Sequence, residues 1–281
     1  MENVAISTMS SSSDCCAVFR GLHESGCFVM PNPWDVGSAR VLEQLGFPAL
    51  ATTSSGLAWS LGRRDNSVTR NDTIAHMRKM AAAVDVPVNA DFEGGFARKP
   101  SDVARNVKVA TTTGVAGLSI EDSTGDEAVP LFEFELAVER IRAARRAIDE
   151  SGTGIVLTAR SEGFIVGRPD LAETIRRLTA YAEAGADCLY APGLSTVQDV
   201  SSVVKALAPK PVNVLVGSDF TTVAELADLG VRRISVGGAL ARAAWGSFLY
   251  AASEIAEHGT FARLAAGVPF PVLNRRFTSR S

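Results

Sequence analysis

The chain has 281 residues, of which 46% are hydrophobic, and its formal net charge is −3. This length and composition suffice for one large core, and a (β/α)8 barrel of about 250 residues fits within them. Acidic and basic residues are mixed along the chain, so no basic patch for nucleic acid or an anionic membrane surface is expected. No apolar run approaches the ~18–20 residues of a membrane span. We therefore expect neither nucleic acid nor a membrane as a partner.

The two ends of the chain are expected to lie outside the folded domain. Residues 1–14 are rich in serine and lack the basic start and apolar centre of a signal peptide, which predicts a mobile tail. One domain is predicted over 15–270, followed by a C-terminal tail at 271–281. Cys27 and Cys188 are interpreted as buried reduced thiols, which predicts a cytoplasmic protein.

Eight short apolar runs follow one another along the chain, and amphipathic stretches separate them. The runs are Cys27–Pro31, Ala49–Thr53, Pro87–Asp91, Gly117–Ile120, Ile155–Arg160, Cys188–Ala191, Pro211–Val216 and Arg233–Val236. Near-continuous apolar runs are typical of parallel strands buried on both faces. Eight strands that alternate with helices, without a long structureless gap, favour a closed (β/α)8 barrel over a doubly wound open sheet.

The sequence predicts more helix than closure of a barrel requires. A helix at about Ala17–Glu24 precedes the first strand and could cover the bottom of the barrel. Two further helices, Ala239–His258 and Phe261–Ala266, follow the eighth strand. Extra apolar helix of this kind packs either on another subunit or on its own barrel. We expect a homo-oligomer, a dimer or a tetramer.

Acidic residues follow two neighbouring predicted strands, at the end where barrel enzymes have their active sites. Asp91 and Glu93 are two apart, so in an extended segment both face the barrel mouth, and Glu121 ends the next strand. Each acid alone could be a helix cap or a surface charge. Together they would repel one another without a cation, and hard oxygen ligands suit Mg²⁺ or Mn²⁺. The pattern predicts a metal site at Asp91, Glu93 and Glu121, with Mg²⁺ preferred and Mn²⁺ as the alternative.

Other polar residues near the strand ends are candidates for binding a substrate. Arg160 closes the fifth strand, where a buried cation needs an anionic partner, either a neighbouring carboxylate or a substrate. The loop Ser54-Ser55-Gly56 after the second strand could hold a carboxylate or phosphoryl group on its backbone N–H groups. Asp65, in the following loop, is either an acid that supports the metal or an exposed turn residue.

Three further substrate contacts are predicted at Trp34, Tyr190 and Asn213, which follow or end the first, sixth and seventh strands. Tyr190 and Asn213, together with Glu162, could instead be structural residues behind the site.

Eight segments in chain order carry a family resemblance. They are PNPWDVGSAR (31–40), ATTSSGLAWSLGRRD (51–65), VNADFEGGF (88–96), LSIEDSTG (118–125), LTARSEGF (157–164), YAEAGADCLYAPG (181–193), KPVNVL (210–215) and RRISVGGALARAAW (232–245). With them the chain resembles the isocitrate lyase/phosphoenolpyruvate mutase superfamily, and specifically its short bacterial branch. The resemblance implies a Mg²⁺-bound 2-oxo or 2-hydroxy carboxylate, in which a C–C or C–P bond breaks to an enolate of pyruvate type.

The resemblance also implies roles for individual residues. Asp91 corresponds to the principal metal aspartate, and Glu93 and Glu121 to further ligands that often act through water. Asp65 corresponds to the acid that supports the metal, and Arg160 to the residue that faces the developing anion. The backbone of Ser55 and Gly56 would hold the substrate carboxylate. Arg160, Asp65 and Glu121 are therefore the predicted catalytic residues.

The sequence departs from the family at the loop that follows the fourth strand. Isocitrate and methylisocitrate lyases have a K-x-x-C-G-H type motif there, whereas residues 123–130 contain no Cys, His or Lys. The phosphonopyruvate enzymes have a His at the end of strand six, where this chain has Tyr190-Ala191-Pro192-Gly193. Cleavage or decarboxylation of a simpler substrate, such as oxaloacetate or a substituted malate, is the function that these differences leave.

Three alternatives remain for comparison. Phosphonopyruvate-type C–P chemistry would make the protein a mutase or hydrolase. A metal- and carboxylate-binding protein without turnover would explain the missing loop motif. A Schiff-base aldolase would need a lysine at a strand end, but the lysines fall on predicted helices and loops.

Overall fold

Eight parallel strands surround a common axis, and at least one helix follows each strand in the computed structural model, which describes residues 12–277. The strands are β1 (Phe28–Met30), β2 (Leu50–Ala51), β3 (Val88–Asp91), β4 (Gly117–Glu121), β5 (Val156–Arg160), β6 (Cys188–Tyr190), β7 (Val212–Leu215) and β8 (Arg233–Ser235). The predicted (β/α)8 barrel is confirmed, with each strand inside or within one residue of its predicted run. Residues 1–11 and 278–281 of the predicted tails lie outside the described residues.

Helices form the outer layer of the barrel and the two ends of the described chain. They are α1 (Ser12–Leu22), α2 (Val36–Gln44), α3 (Ser54–Ser60), α4 (Arg70–Ala83), α5 (Pro100–Ala110), α6 (Phe134–Ser151), α7 (Leu171–Glu183), α8 (Val197–Leu207), α9 (Val223–Asp228), α10 (Ala239–His258) and α11 (Phe270–Arg275), with short 3₁₀ helices at Thr111–Thr113 and Ala262–Ala266. Helix α1 begins within the segment predicted as an N-terminal tail, and all of α11 except its first residue, Phe270, lies within the segment predicted as a C-terminal tail.

Hydrogen bonds join the strands in the order β1-β8-β7-β6-β5-β4-β3-β2. The remaining seam, between β1 and β2, is closed by the bond from the Ala51 amide to the Pro31 carbonyl, at 3.0 Å. The buried side chain of Asn32 reinforces it: Nδ2 donates to the Thr52 carbonyl, and Oδ1 accepts from the amides of Val236 and Gly237. Asn32 thus connects the ends of β1, β2 and β8.

Helix α1 covers the bottom of the barrel, as predicted. Arg20 bonds to the Gly154 carbonyl and to Asp187, which precede β5 and β6. The ring of Phe19 is fully buried and lies where a side chain on Gly117 would be, since a Cβ there would come within 2.6 Å of it. The absence of a side chain at Gly117 therefore lets α1 close the barrel.

The C-terminal helix α10 is the least buried long helix, with only Ala241 and Glu254 buried along its length. Large apolar side chains on α10 and beyond are exposed, among them Trp245, Phe248 and Leu249. Such an apolar surface is typical of an interaction site.

The helices and the cysteines bear on the predictions of no membrane partner and of a cytoplasmic protein. None of the helices within residues 12–277 is both long and apolar enough to cross a membrane. Cys27 and Cys188 are free thiols, as predicted. Cys188 is buried as predicted, whereas Cys27 is only half-buried because it precedes β1 at the rim of the barrel.

Candidate active site

A cavity of about 300 Å³ opens at the C-terminal ends of the strands. Its walls include most of the predicted site residues: Ser54, Ser55, Asp65, Asp91, Glu121, Arg160, Tyr190 and Asn213, together with Glu162. The barrel brings them together because the carboxyl ends of all its parallel strands meet at this face.

The Arg160 guanidinium lies among three carboxylates in this cavity. Its Nη1 is 2.9 Å from Asp91 Oδ1, its Nε is 2.8 Å from Glu162 Oε1, and its Nη2 is 3.4 Å from Glu121 Oε2. The guanidinium also lies 5.1 Å from the centre of the Tyr190 ring. Burial alone would lower the pKa of Arg160, but the three acids raise it, so the cation is permanent.

Asp91 is fixed from two sides. Its Oδ2 accepts a hydrogen bond from the Ser54 amide at 3.0 Å, and its own amide donates to Thr52 Oγ1 at 2.8 Å. Ser54 is the first residue of α3, where amides lack partners within the helix. The other carboxylate oxygen is directed to Arg160.

Asp65 contributes a second aspartate to the cavity from the loop after α3. Burial raises its pKa, and the charge of Asp91 raises it further. Hydrogen bonds from the Asn66 amide and from the Ser54 side chain act in the opposite direction. Asp65 is exposed and lies in a turn, but it also lines the cavity, close enough to Asp91 for their charges to interact. Its support of a metal stays a prediction.

Glu93 does not line the main cavity, although an extended segment would direct it there together with Asp91. Strand β3 ends at Asp91, and Glu93 has a φ of +46°, so the alternation of a strand does not continue to it. Its side chain lines a neighbouring cavity, which shares Glu121 with the main one. Burial, with the charges of Asp91 and Asp65, raises the pKa of Glu93 to about 8.

The acids outnumber the bases at this site. Four carboxylates line the main cavity, whereas Arg160 and Arg233 are its only cationic side chains within the described chain. The four are Asp65, Asp91, Glu121 and Glu162. A divalent cation would balance this excess.

The donor set fits Mg²⁺. Among residues 12–277 no three acidic, histidine or cysteine side chains form a ready-made metal cage, since Arg160 separates Asp91, Glu121 and Glu162. Mg²⁺ does not need such a cage, because it is commonly held by one or two carboxylates, with water and substrate oxygens completing its shell. The metal roles of Asp91, Glu93 and Glu121 remain a prediction.

Gly56 and Trp34 lie behind the cavity wall and do not line the cavity. The Gly56 amide donates to Thr53 Oγ1, at 3.4 Å, so it is not free to hold a carboxylate. A Cβ on Gly56 would come within 2.8 Å of the Trp34 Cβ. Gly56 and Trp34, predicted as substrate contacts, therefore pack against each other. Ser54 and Ser55 are the residues of this loop that line the cavity.

Asp122 is a supporting residue that the sequence analysis did not identify. It is buried and accepts hydrogen bonds from the Tyr181 hydroxyl at 2.7 Å, from Arg177 at 3.2 Å and from the Glu162 amide at 2.8 Å. It thereby holds the segment that carries Glu162 against Arg160. The Glu121-Asp122 pair was visible in the sequence, but its alternation directs Asp122 away from the axis.

The loop after β4 is closed on itself. Ser123 and Leu131 form an antiparallel bridge, and Thr124 bonds to the carbonyls of Pro130 and Val129. Residues 123–130 of this loop contain no Cys, His or Lys.

Comparison with known proteins shows the family. A family model described as phosphoenolpyruvate phosphomutase matches residues 19–256. An uncharacterized protein of Mycobacterium tuberculosis is 32% identical over 262 residues, which are 92% of this chain and 95% of that protein. An oxaloacetate decarboxylase of Bradyrhizobium diazoefficiens is 30% identical over 188 residues, which are 64% of each.

Solved structures with the same fold include lyases and mutases. A structure from Burkholderia cenocepacia, described as a candidate lyase or mutase, has a TM-score of 0.91 at 45% identity, covering 95% of this chain and 97% of that one. A 2,3-dimethylmalate lyase has a TM-score of 0.82 at 29% identity and covers 93% and 94%.

The fold and the acid-lined site thus define a barrel enzyme of the isocitrate lyase/phosphoenolpyruvate mutase superfamily, among its carbon–carbon lyases. Within that superfamily, the chain belongs to the phosphoenolpyruvate phosphomutase family. The expectation drawn from the eight sequence segments is confirmed.

Proposed function

We propose that the protein is a Mg²⁺-dependent lyase that cleaves a C–C bond of a small 2-oxo or 2-hydroxy di- or tricarboxylate and releases an enolate of pyruvate type. The observation that carries this proposal is the position of Arg160 among Asp91, Glu121 and Glu162, in the wall of a cavity of about 300 Å³. Relatives named for oxaloacetate and for 2,3-dimethylmalate support the substrate class.

Asp91 and Glu121 would hold the metal, with Glu93 and Asp65 in support. When bound, Mg²⁺ would supply positive charge beside the oxygen on which negative charge develops. Mn²⁺ offers the same chemistry to the same donors.

The chain's own residues supply the rest of the reaction. The fixed guanidinium of Arg160 stabilises the developing oxyanion without reorganisation at the moment of bond cleavage. Ser54 and Ser55, at the start of α3, orient the carboxylate that does not react, which aligns the bond that breaks. Tyr190 and Asn213 bound the opposite wall and contact the remainder of the substrate.

Decarboxylation of a 2-oxo acid fits this site better than cleavage of a 2-hydroxy acid. Cleavage of a 2-hydroxy acid needs a base for the hydroxyl proton and an acid for the enolate, whereas loss of CO₂ needs only protonation afterwards. The closed loop at 123–131 brings no Cys, His or Lys to the cavity. Oxaloacetate is therefore the preferred substrate, ahead of a substituted malate.

A panel of 2-oxo and 2-hydroxy dicarboxylates, assayed with Mg²⁺ for pyruvate, tests the proposal. Activity with oxaloacetate that is lost on chelation and restored by Mg²⁺ is the expected result. Phosphonopyruvate belongs in the panel because the matching family model is that of a phosphomutase. Binding without turnover across the whole panel would instead identify a metal- and carboxylate-binding protein.

We further propose that the protein is a homo-oligomer, with a second copy covering the exposed apolar face of α10 around Trp245, Phe248 and Leu249. A cytoplasmic location is proposed as well, because Cys27 and Cys188 are reduced thiols. Light scattering and cell fractionation test these two statements.

A further inference from the structure

Hydrogen bonds cross the barrel interior from helix α1 at its bottom to the cavity at its top. His23 Nδ1 lies 2.7 Å from the Phe19 carbonyl, and His23 Nε2 lies 3.2 Å from Arg233 Nη1. Arg233 Nε donates to Asn213 Oδ1 at 2.9 Å, and Asn213 Nδ2 donates to Ser235 Oγ at 2.9 Å. All of these side chains are buried, and the last three line the cavity.

Arg233 is an unusual residue for a barrel interior. Its side chain is among the largest fully buried ones, and its third partner is Thr158 Oγ1, at 3.0 Å from Nη2. No carboxylate within residues 12–277 forms an ion pair with it. A buried cation without an anionic partner costs free energy that an apolar residue would not. A role in packing alone therefore does not account for an arginine at this position.

The bonds of Arg233 fix the orientation of both neighbouring side chains. A guanidinium can only donate, so His23 Nε2 must accept, and the proton of the ring is on Nδ1. Burial and the charge of Arg233 lower the pKa of His23 to about 3, so the ring is neutral. For the same reason Asn213 must present Oδ1 to Arg233, which directs its NH₂ group toward Ser235 and the cavity.

We infer that Arg233 is a positioning residue for the candidate site, and that helix α1 supports the site through His23. Asn213 offers the cavity a donor only: one Nδ2 proton is used by Ser235, and the other has no acceptor among the described residues. The wall at Asn213 then binds oxygen acceptors of a ligand and disfavours donors. The orientation of Asn213 follows from the geometry alone, whereas any effect on turnover rests on the proposed function.

Two substitutions at His23 separate this role from simple packing. His23→Leu keeps bulk but removes the acceptor for Arg233, whereas His23→Gln restores one through its side-chain carbonyl. Cys188→Ala is the matched control, because Cys188 is buried near Arg233 but bonds to neither Arg233 nor Asn213. Crystal structures of the three variants, with kinetics on the active substrate and calorimetry with Mg²⁺ and oxalate, give independent readouts.

In His23→Leu we expect the Asn213–Ser235 hydrogen bond to be lost or the amide to rotate, and KM to rise about tenfold or more. His23→Gln and Cys188→Ala should keep both the bond and KM. An unchanged Asn213 in His23→Leu crystals would overturn the inference, as would an equal effect of Cys188→Ala. If His23→Leu does not fold, Arg233→Lys is compared in the same way, since one ammonium cannot bond to His23, Asn213 and Thr158 together. If the wild-type protein turns over nothing in the panel, the proposed function fails, and the position of Asn213 in the crystals still decides the inference.

Discussion

Arg160 Nη1 lies 2.9 Å from Asp91 Oδ1, which joins the ends of β5 and β3 above the intervening strand β4. The pair brings the residue assigned to anion stabilisation directly against the residue assigned to the metal. Any cation that Asp91 binds is therefore adjacent to the Arg160 guanidinium, and a substrate oxygen between them would meet two positive charges.

Replacement of Asp91 tests the metal assignment. Asp91→Ala should abolish Mg²⁺-dependent pyruvate formation and weaken Mg²⁺ binding, because it removes the carboxylate that both Ser54 and Arg160 orient. Calorimetric titration with Mg²⁺ and steady-state assays measure the two effects. Asp102→Ala, at an exposed ion pair on α5, serves as control and should change neither. Wild-type activity in Asp91→Ala would refute the site.

Replacement of Arg160 separates charge from geometry. Arg160→Lys keeps the positive charge, but a single ammonium group cannot bond to Asp91, Glu121 and Glu162 at once as the planar guanidinium does. We therefore expect kcat to fall by on the order of 10²–10³-fold. Arg160→Met should also destabilise the fold, by about 3–5 kcal/mol, because three half-buried or buried carboxylates lose their partner. Urea denaturation and kcat distinguish the two variants, and a Lys variant with normal kcat would contradict the role.

The buried ring of His23 predicts how stability depends on pH. Its pKa is about 3 in the folded protein against an ordinary value of 6.5, so the unfolded chain binds more protons between these values. Its contribution is therefore complete above pH 6.5 and is lost as the pH falls toward 3. At pH 5 the loss amounts to about 2 kcal/mol. Urea unfolding of the wild-type protein and of His23→Gln at pH 7.5 and pH 5 should show this difference, and parallel pH profiles would exclude it.

The apolar face of α10 predicts a change in assembly. Phe248→Asp or Leu249→Asp places a charge on the face and should shift the protein from oligomer to monomer, as measured by size-exclusion chromatography with light scattering. Val18→Asp is the control, because Val18 is similarly exposed on α1 at the opposite end of the described chain. A wild-type protein that is already monomeric at micromolar concentration would contradict the prediction.

The barrel could be predicted from sequence because its strands are local apolar runs separated by helices with recognisable ends. The sequence also predicts that the side chains of Asp91, Glu121 and Arg160 lie together, since each residue ends a strand and therefore reaches the same face of the barrel. The Ser54 amide could also be predicted as a donor at this face, and it donates to Asp91.

Three features could not be predicted because they depend on contacts distant in sequence or on backbone conformation. The supporting role of Asp122 depends on its hydrogen bonds with Arg177 and Tyr181, which are distant in sequence and approach it only in the folded chain. Arg233 begins a run that was interpreted as apolar, and its partners come from the turn after α1, from β5 and from β7. The positive φ of Glu93 directs its side chain into a second cavity, and no local pattern indicates that φ.

The seam between β1 and β2 has a dynamic consequence. Every other pair of neighbouring strands is held by a ladder of backbone hydrogen bonds, whereas this one has the single bond from Ala51 to Pro31 and the amide of Asn32. Local opening of the barrel should therefore begin at this seam. The Ala51 amide should exchange its hydrogen with solvent faster than the amide of Ala159 in β5. Since α3 and Ser54 follow directly from β2, opening of the seam would move one wall of the cavity while the acids on β3 and β4 remain in place.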